Sequence, residues 1–246
     1  MMRALVLVLL LIYALPAQAV TCRDIDHEGR PYTVCEVDAA REDLRLFLSD
    51  DAGDLLGQFG AVDAALEAEG ARLAFGMNAG MYHPDRSPVG LYVEEGKAQT
   101  PLVTRAGPGN FGLLPNGVFC IEEGRARVYE TLRYEAEGPA CRDATQSGPM
   151  LVIDGALHPR FLPDSGSRYL RNGVGTSANG RRAVFAISNQ PVTFHEFGRL
   201  FRDVLNTPDA LYLDGNISRL HAPALGRSDP GLWVGPIVGV VEPAEN

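Results

Sequence analysis

"TFHEFGRLFRDVLNTPDALYLDG", residues 193–215, sets the organisation of the chain. Thr193 and Glu196 stand three apart, the spacing of a capping box, in which each side chain satisfies the other residue's free N–H at a helix start. Phe197, Leu200, Phe201, Val204 and Leu205 then recur on one face at helical period. Pro208 stops the helix, since it has no N–H to donate and its ring clashes with the preceding turn. The chain passes directly into an apolar strand, Ala210 to Leu213, which ends in Asp214-Gly215. Helix, short loop, buried strand and carboxylate in that order deliver Asp214 to a strand's C-terminal end, where folds that combine helices and sheets commonly place sites.

Strand-like segments dominate the rest. Tyr32–Val37, Leu44–Leu48, Arg72–Met77, Gly90–Val93, Gly117–Ile121, Ala126–Tyr129, Met150–Ile153 and Ala183–Ile187 have strand length and apolar content, most of them bounded by turn residues. Leu55, Leu56, Phe59, Val62 and Leu66 repeat at helical spacing and predict one further helix ending near Gly70. No repeat and no composition break divides the chain. The expectation is an α+β fold: one domain with a large mixed, strand-rich sheet packed by a few helices.

The first residues read as a processing segment. Arg3 supplies a positive start, Ala4 to Leu15 form an apolar run, and Ala17-Gln18-Ala19 fits a small-x-small cleavage site. The run is shorter than the roughly 18 residues that span a bilayer. Residues 1–19 are therefore read as a signal peptide and 20–246 as the mature domain, exported to the periplasm or the extracellular space, with no membrane span after cleavage. Four cysteines agree with an oxidising compartment. They allow three connectivities; Cys22–Cys35 and Cys120–Cys141 are expected because each pair closes a local loop. No Cys/His cluster suggests zinc. The formal charge of −9 is spread along the chain without a basic stripe, which argues against nucleic acid as a partner.

Four polar, glycine-containing stretches end or interrupt apolar strands: "FGMNAGMY" (75–82), "QSGPMLV" (146–152), "RNGVGTSANGRRAVFAIS" (171–188) and "LYLDGNIS" (211–218). Each one alone reads as a turn, because glycine accepts positive φ and Asn or Asp can bond its own backbone. Together they share a layout of strand, small polar residue and glycine, and glycine lets a ligand approach the backbone closely.

In order and spacing this set resembles the phosphodiester glycosidase family, whose members carry an Asn-Gly-Gly-aromatic stretch, Ser-Gly-Pro, an Arg-Thr-Ala-like stretch and a late Asp-Gly-Gly. The matching positions are Asn78 and Gly80, Ser147, Arg171, and Asp214 with Gly215; Thr176 and Ser218 match more loosely. Ala79, Asn172-Gly173 and Asn216-Ile217 depart from the pattern, so the chain looks like a divergent bacterial branch.

The resemblance implies hydrolysis at the anomeric carbon of a sugar-1-phosphodiester or related glycan. Asp214 would be the carboxylate beside the developing oxocarbenium charge, and Arg171 a phosphate clamp. Asn78 completes the catalytic set. Ser147, Gly80, Gly215, Thr176, Ser218 and His83 would bind substrate, His83 also serving as a second acid or base. No cofactor is called for; a divalent cation such as calcium is left open, although no EF-hand spacing is present. The rival reading is a non-catalytic saccharide-binding or structural envelope protein, with Tyr82, Tyr169 and Trp233 holding a sugar.

Overall fold

Three phenylalanines, one from each of three sheets, meet at the centre of the molecule. Phe185 stacks tilted against Phe75 at 4.9 Å and takes Phe119 edge-on at 5.7 Å. The computed structural model that shows this describes residues 20–214 and 217–244. The first sheet has the order β1 (Thr21–His27), β2 (Arg30–Asp38), β13 (Arg182–Ser188), β12 (Asn172–Thr176), β14 (Asp209–Asp214), β10 (Met150–Ile153), β11 (Ala156–Leu157). The second runs β16 (Arg227–Ser228), β15 (Leu220–Ala222), β4 (Ala71–Asn78), β17 (Ile237–Pro243), β3 (Asp43–Phe47). The third runs β6 (Lys97–Thr100), β5 (Tyr92–Glu94), β9 (Asp143–Ser147), β7 (Gly117–Glu122), β8 (Arg125–Glu130).

The α+β class is as the sequence implies, with the strands shared among three sheets instead of one. Ladders between the described strands are antiparallel. Alternation along β14 explains why several layers form. Leu211 and Leu213 point into the central core with Phe75, Phe119 and Phe185, while Ala210 and Tyr212 point to a second core under a helix. A strand with two apolar faces needs cover on both sides.

That cover is α3 (Phe194–Arg199), and it starts as expected. Thr193 Oγ1 accepts from the Glu196 N–H at 3.1 Å, and Glu196 Oε2 accepts from the Thr193 N–H at 2.9 Å. The helix then widens into a π turn, Leu200–Val204, closed by Leu205 N–H to Leu200 O at 3.0 Å. The wider turn keeps Phe197, Leu200, Phe201 and Leu205 buried and turns Val204 outward, 40% exposed. α1 (Phe59–Glu67) begins four residues later than the apolar spacing suggests. Gly57 adopts φ +59, where a Cβ would stand 2.6 Å from the Trp233 ring, and Gln58 is extended (φ −142, ψ 143), so the helix starts only at Phe59. A short helix the sequence did not announce, α2 (Thr131–Glu137), is capped by the Glu130 carboxylate, which accepts from Leu132 N–H and Arg133 N–H at 3.0 Å each.

Both expected disulfides are formed. Cys22–Cys35 staples the β1–β2 hairpin and Cys120–Cys141 ties β7 to the segment before β9. No helix among the described residues is long and apolar enough to cross a membrane. Residues 1–19, where a processing segment is expected, lie outside the described residues, as do Gly215 and Asn216.

Candidate active site

The C-terminal end of β14 meets the start of β12 and the end of β4 at one point, and the three strand ends are joined by side-chain amides. Asn172, the first residue of β12, is the hub. Its Nδ2 donates to Asn78 O at 2.8 Å and to Asn78 Oδ1 at 3.2 Å, and its Oδ1 accepts from the Asp214 N–H at 2.9 Å. Asn78 Nδ2 in turn faces Asp214 Oδ2 at 3.4 Å, while its Oδ1 accepts from the Arg219 N–H at 2.8 Å. Asn78 and Asn172 are fully buried and Asp214 is 8% exposed. Buried amides with most of their donors and acceptors engaged fix geometry tightly, since any displacement strands a polar group away from water. A register shift of the β12–β14 ladder falls at Asn172/Gly173, opposite Asp214 and Tyr212; such irregularities re-aim side chains at strand ends.

Asp214 opens onto a cleft of ≈ 690 Å³. Its walls are aromatic and polar: Tyr82, Tyr169, Tyr212, Asn110 and Ser167. Among the described residues that line it, Asp214 is the one carboxylate and Arg86 the one guanidinium. Burial, and after it the Asp214 charge, pushes the Tyr82 hydroxyl up to about 12. Burial likewise raises the Tyr212 hydroxyl, against the opposing pull of Arg171. Both phenols are therefore neutral donors at ordinary pH. The Tyr82 side chain packs on Gly235, where an added Cβ would come within 2.6 Å of its Cβ and Cγ, so that glycine is required by close approach.

Arg171 is not on the cleft wall. Its side chain is 1% exposed and sits behind Tyr212 and Tyr169, its guanidinium carbon 3.6 Å from the Phe194 ring centroid. Nε donates to Val192 O at 2.9 Å and Nη2 to Ser167 O at 3.2 Å, while Nη1 is buried without a well-aligned partner. The cation interacts with the Tyr212 hydroxyl, as does Asn110. The expected clamp thus reaches the cleft through a tyrosine, because three aromatic rings stand between it and solvent.

The other sequence candidates separate into three groups. Ser218 flanks the site, donating to Asp214 O at 2.9 Å, and His83 stands on the cleft lip. Ser147 and Gly80 lie one layer behind. Ser147 Oγ donates to Leu213 O at 2.7 Å, which anchors the strand carrying Asp214. Gly80 has φ +70 and packs on the Thr145 side chain, where no Cβ fits. Thr176 is at the opposite end of β12, accepting from the Val128 N–H at 3.1 Å, and Trp233 packs on Gly57, away from the cleft.

Sequence reasoning missed Asn172, Tyr212 and Asn110. Asn172 reads as a departure from the family pattern, and Tyr212 as one more apolar strand residue. Asn110 sits in "GPGNFG" (107–112), whose glycine density was the available signal: Gly112 packs directly on the Gly107 backbone. Among the described residues, no three His, Cys, Asp or Glu side chains converge to hold a metal ion.

Comparison with known proteins gives the family and the fold. The family profile described as phosphodiester glycosidase matches residues 71–222. The uncharacterized protein YigE of Escherichia coli (strain K12) is 32% identical over 217 residues, covering 88% of this chain and 83% of that protein. Two solved structures share the fold at low identity. The catalytic domain of zebrafish N-acetylglucosamine-1-phosphodiester alpha-N-acetylglucosaminidase, auto-inhibited by its pro-peptide, superposes with a TM-score of 0.60 at 13% identity, over 90% of this chain and 81% of that one. A hypothetical protein from Synechocystis gives 0.59 at 14%, over 90% of this chain, which spans 61% of that longer one. The chain belongs to the phosphodiester glycosidase family.

Proposed function

We propose that the protein is an exported hydrolase that cleaves the glycosidic bond of a sugar-1-phosphodiester or a related glycan in the Asp214 cleft. The observation that carries this is the Asn78–Asn172–Asp214 network, which holds one carboxylate at the floor of an aromatic-walled cleft. The sugar ring lies among Tyr82, Tyr169 and Tyr212, whose faces suit the apolar faces of a pyranose. Asp214 sits below the anomeric carbon, where its charge stabilises the oxocarbenium-like transition state. Water adds to that carbon as the C1–O bond breaks. The bonding pair leaves with the phosphate, which takes up one water proton, and the products are free sugar and a phosphomonoester. A phosphate leaves without a strong general acid, so one cleft carboxylate suffices. The neutral Tyr212 hydroxyl, held by Arg171 and Asn110, donates to the substrate. Export accords with the N-terminal apolar run and the two disulfides.

The test is product analysis with the methyl phosphodiester of N-acetylglucosamine 1-phosphate and a small panel of other sugars. Equimolar free sugar and methyl phosphate are expected. Sugar 1-phosphate and methanol instead would assign a different bond, and binding without turnover would make the protein a saccharide binder.

A further inference from the structure

Three arginines stand around the cleft, and two are already occupied. Arg171 is caged as described. Arg219 is 6% exposed and donates Nη1 to Leu232 O at 2.7 Å and both Nε and Nη2 to Asp229 O. The third, Arg86, is half-buried on the cleft lip, and among the described residues no carboxylate or carbonyl engages its guanidinium. Its neighbour Asp85 turns to Ser87 instead, Oδ1 accepting from Ser87 Oγ at 2.6 Å and from Ser87 N–H at 3.1 Å.

The backbone there is strained. Tyr82 and Pro88 pair across a small hairpin, closed by His83 N–H to Ser87 O and Arg86 N–H to His83 O at 2.8 Å each. This turn holds Arg86 at φ +73, a left-handed conformation in which glycine is relaxed and an arginine is not. Backbone of this kind is held by the structure around it and clusters at active sites and ligand clamps. The guanidinium carbon lies 5.3 Å from the Tyr82 ring centroid, and the opposite charges of Arg86 and Asp214 both act on the Tyr82 hydroxyl.

We propose that Arg86 is the anion-binding residue of the cleft: it takes the phosphodiester oxygens at the lip while Asp214 takes the anomeric carbon at the floor, and it sets the preference for a charged leaving group over a neutral one. This orientation rests on the glycosidase reading above. An arginine with free N–H groups binds two phosphate oxygens in one plane. The strongly acidic second cavity and the exposed Leu232–Trp233 corner offer no comparable unpartnered group.

The experiment compares kcat/KM for the methyl phosphodiester of N-acetylglucosamine 1-phosphate with that for 4-nitrophenyl α-N-acetylglucosaminide, in wild type, Arg86→Gln and Arg86→Gly. In both variants the diester-to-glycoside ratio is expected to fall about tenfold or more, chiefly through KM. Arg86→Gly should keep or raise the unfolding midpoint, because glycine relieves the backbone. A ratio within about twofold of wild type in both variants would overturn the proposal. If wild type cleaves neither compound, the glycosidase reading fails, and calorimetry with N-acetylglucosamine 1-phosphate decides Arg86 separately. Binding that weakens about tenfold in Arg86→Gln supports the anion site, and no binding or equal binding contradicts it.

Discussion

Two of the cavities among the described residues are nearly equal in size and opposite in character. The Asp214 cleft, ≈ 690 Å³, carries one carboxylate among three tyrosines. The other, ≈ 710 Å³ between β3, α1 and the β5–β6 turn, is lined by seven Asp or Glu residues and two arginines. By charge alone the second would draw attention. Yet most of its carboxylates are engaged in structure. Asp43 is paired with Arg45 at 2.8 Å, Asp50 Oδ1 accepts from the Ala52 and Asp54 N–H groups, and Asp143 accepts from the Glu95 N–H and from Arg142. In the cleft, the carboxylate is held by two buried asparagines at the floor of an aromatic-walled opening. That difference in what lies behind each carboxylate, more than volume or charge, separates a candidate site from a solvated hollow.

The contrast can be broken in stages. Asp214→Asn should lower kcat/KM on the order of 10³-fold or more while moving the unfolding midpoint little, since the amide still fits beside Asn78. A fully active, folded variant would move the chemistry elsewhere. Asn172→Ala removes the hub and takes from the Asp214 N–H and the Asn78 main-chain carbonyl the bonds that Asn172 makes to them. Stability should fall by about 2–4 kcal/mol by denaturant titration, and activity about a hundredfold or more through the misplaced carboxylate. An active, equally stable variant would show that the network is incidental. Tyr212→Phe, which deletes only a hydroxyl, should cost about tenfold to a hundredfold in kcat/KM with under about 1.5 kcal/mol in stability.

The smallest effect is predicted for the acidic cavity. Burial pushes Glu94 up to about 7. The folded protein therefore holds a proton there that the unfolded chain gives up at about pH 4.3. This contribution is fully present below the unfolded value and is lost as pH rises toward 7. Glu94→Gln, neutral at every pH, should gain about 1 kcal/mol or less at about pH 7.5, with the gain vanishing near about pH 4.5. Activity should be unchanged. A loss of turnover would mean that the second cavity takes part in function after all.

How much of this was legible in the sequence depends on what each strand is made of. β10 and β14 announced themselves by apolar runs, and α3 by its capping box. β9 and β12 did not. "DATQS" and "NGVGT" look like turns, yet all ten residues are buried. Their polar side chains find partners inside the protein: Gln146 serves Leu91, Val103 and Thr131, and Asn172 serves Asn78 and Asp214. The glycines of β12 are there for what packs on them. A Cβ on Gly173 would stand 2.8 Å from Leu211 O, and one on Gly175 would run into the Thr207 side chain. Such strands carry no hydrophobic period, so only the three-dimensional partners reveal them. The same blindness explains Arg171. Its type suggested a phosphate ligand, while the rings that enclose it come from residues 169, 194 and 212, which nothing in the local sequence brings together.

The central claim is that the cleft attacks the sugar carbon and not phosphorus, and the two routes release the same sugar and phosphomonoester. Turnover of the methyl phosphodiester of N-acetylglucosamine 1-phosphate in oxygen-18 water distinguishes them. The label should enter the C1 hydroxyl of the free sugar, leaving methyl phosphate unlabelled, as measured by mass spectrometry at early time. Label in the phosphate would contradict the account and make Asp214 part of a phosphodiesterase.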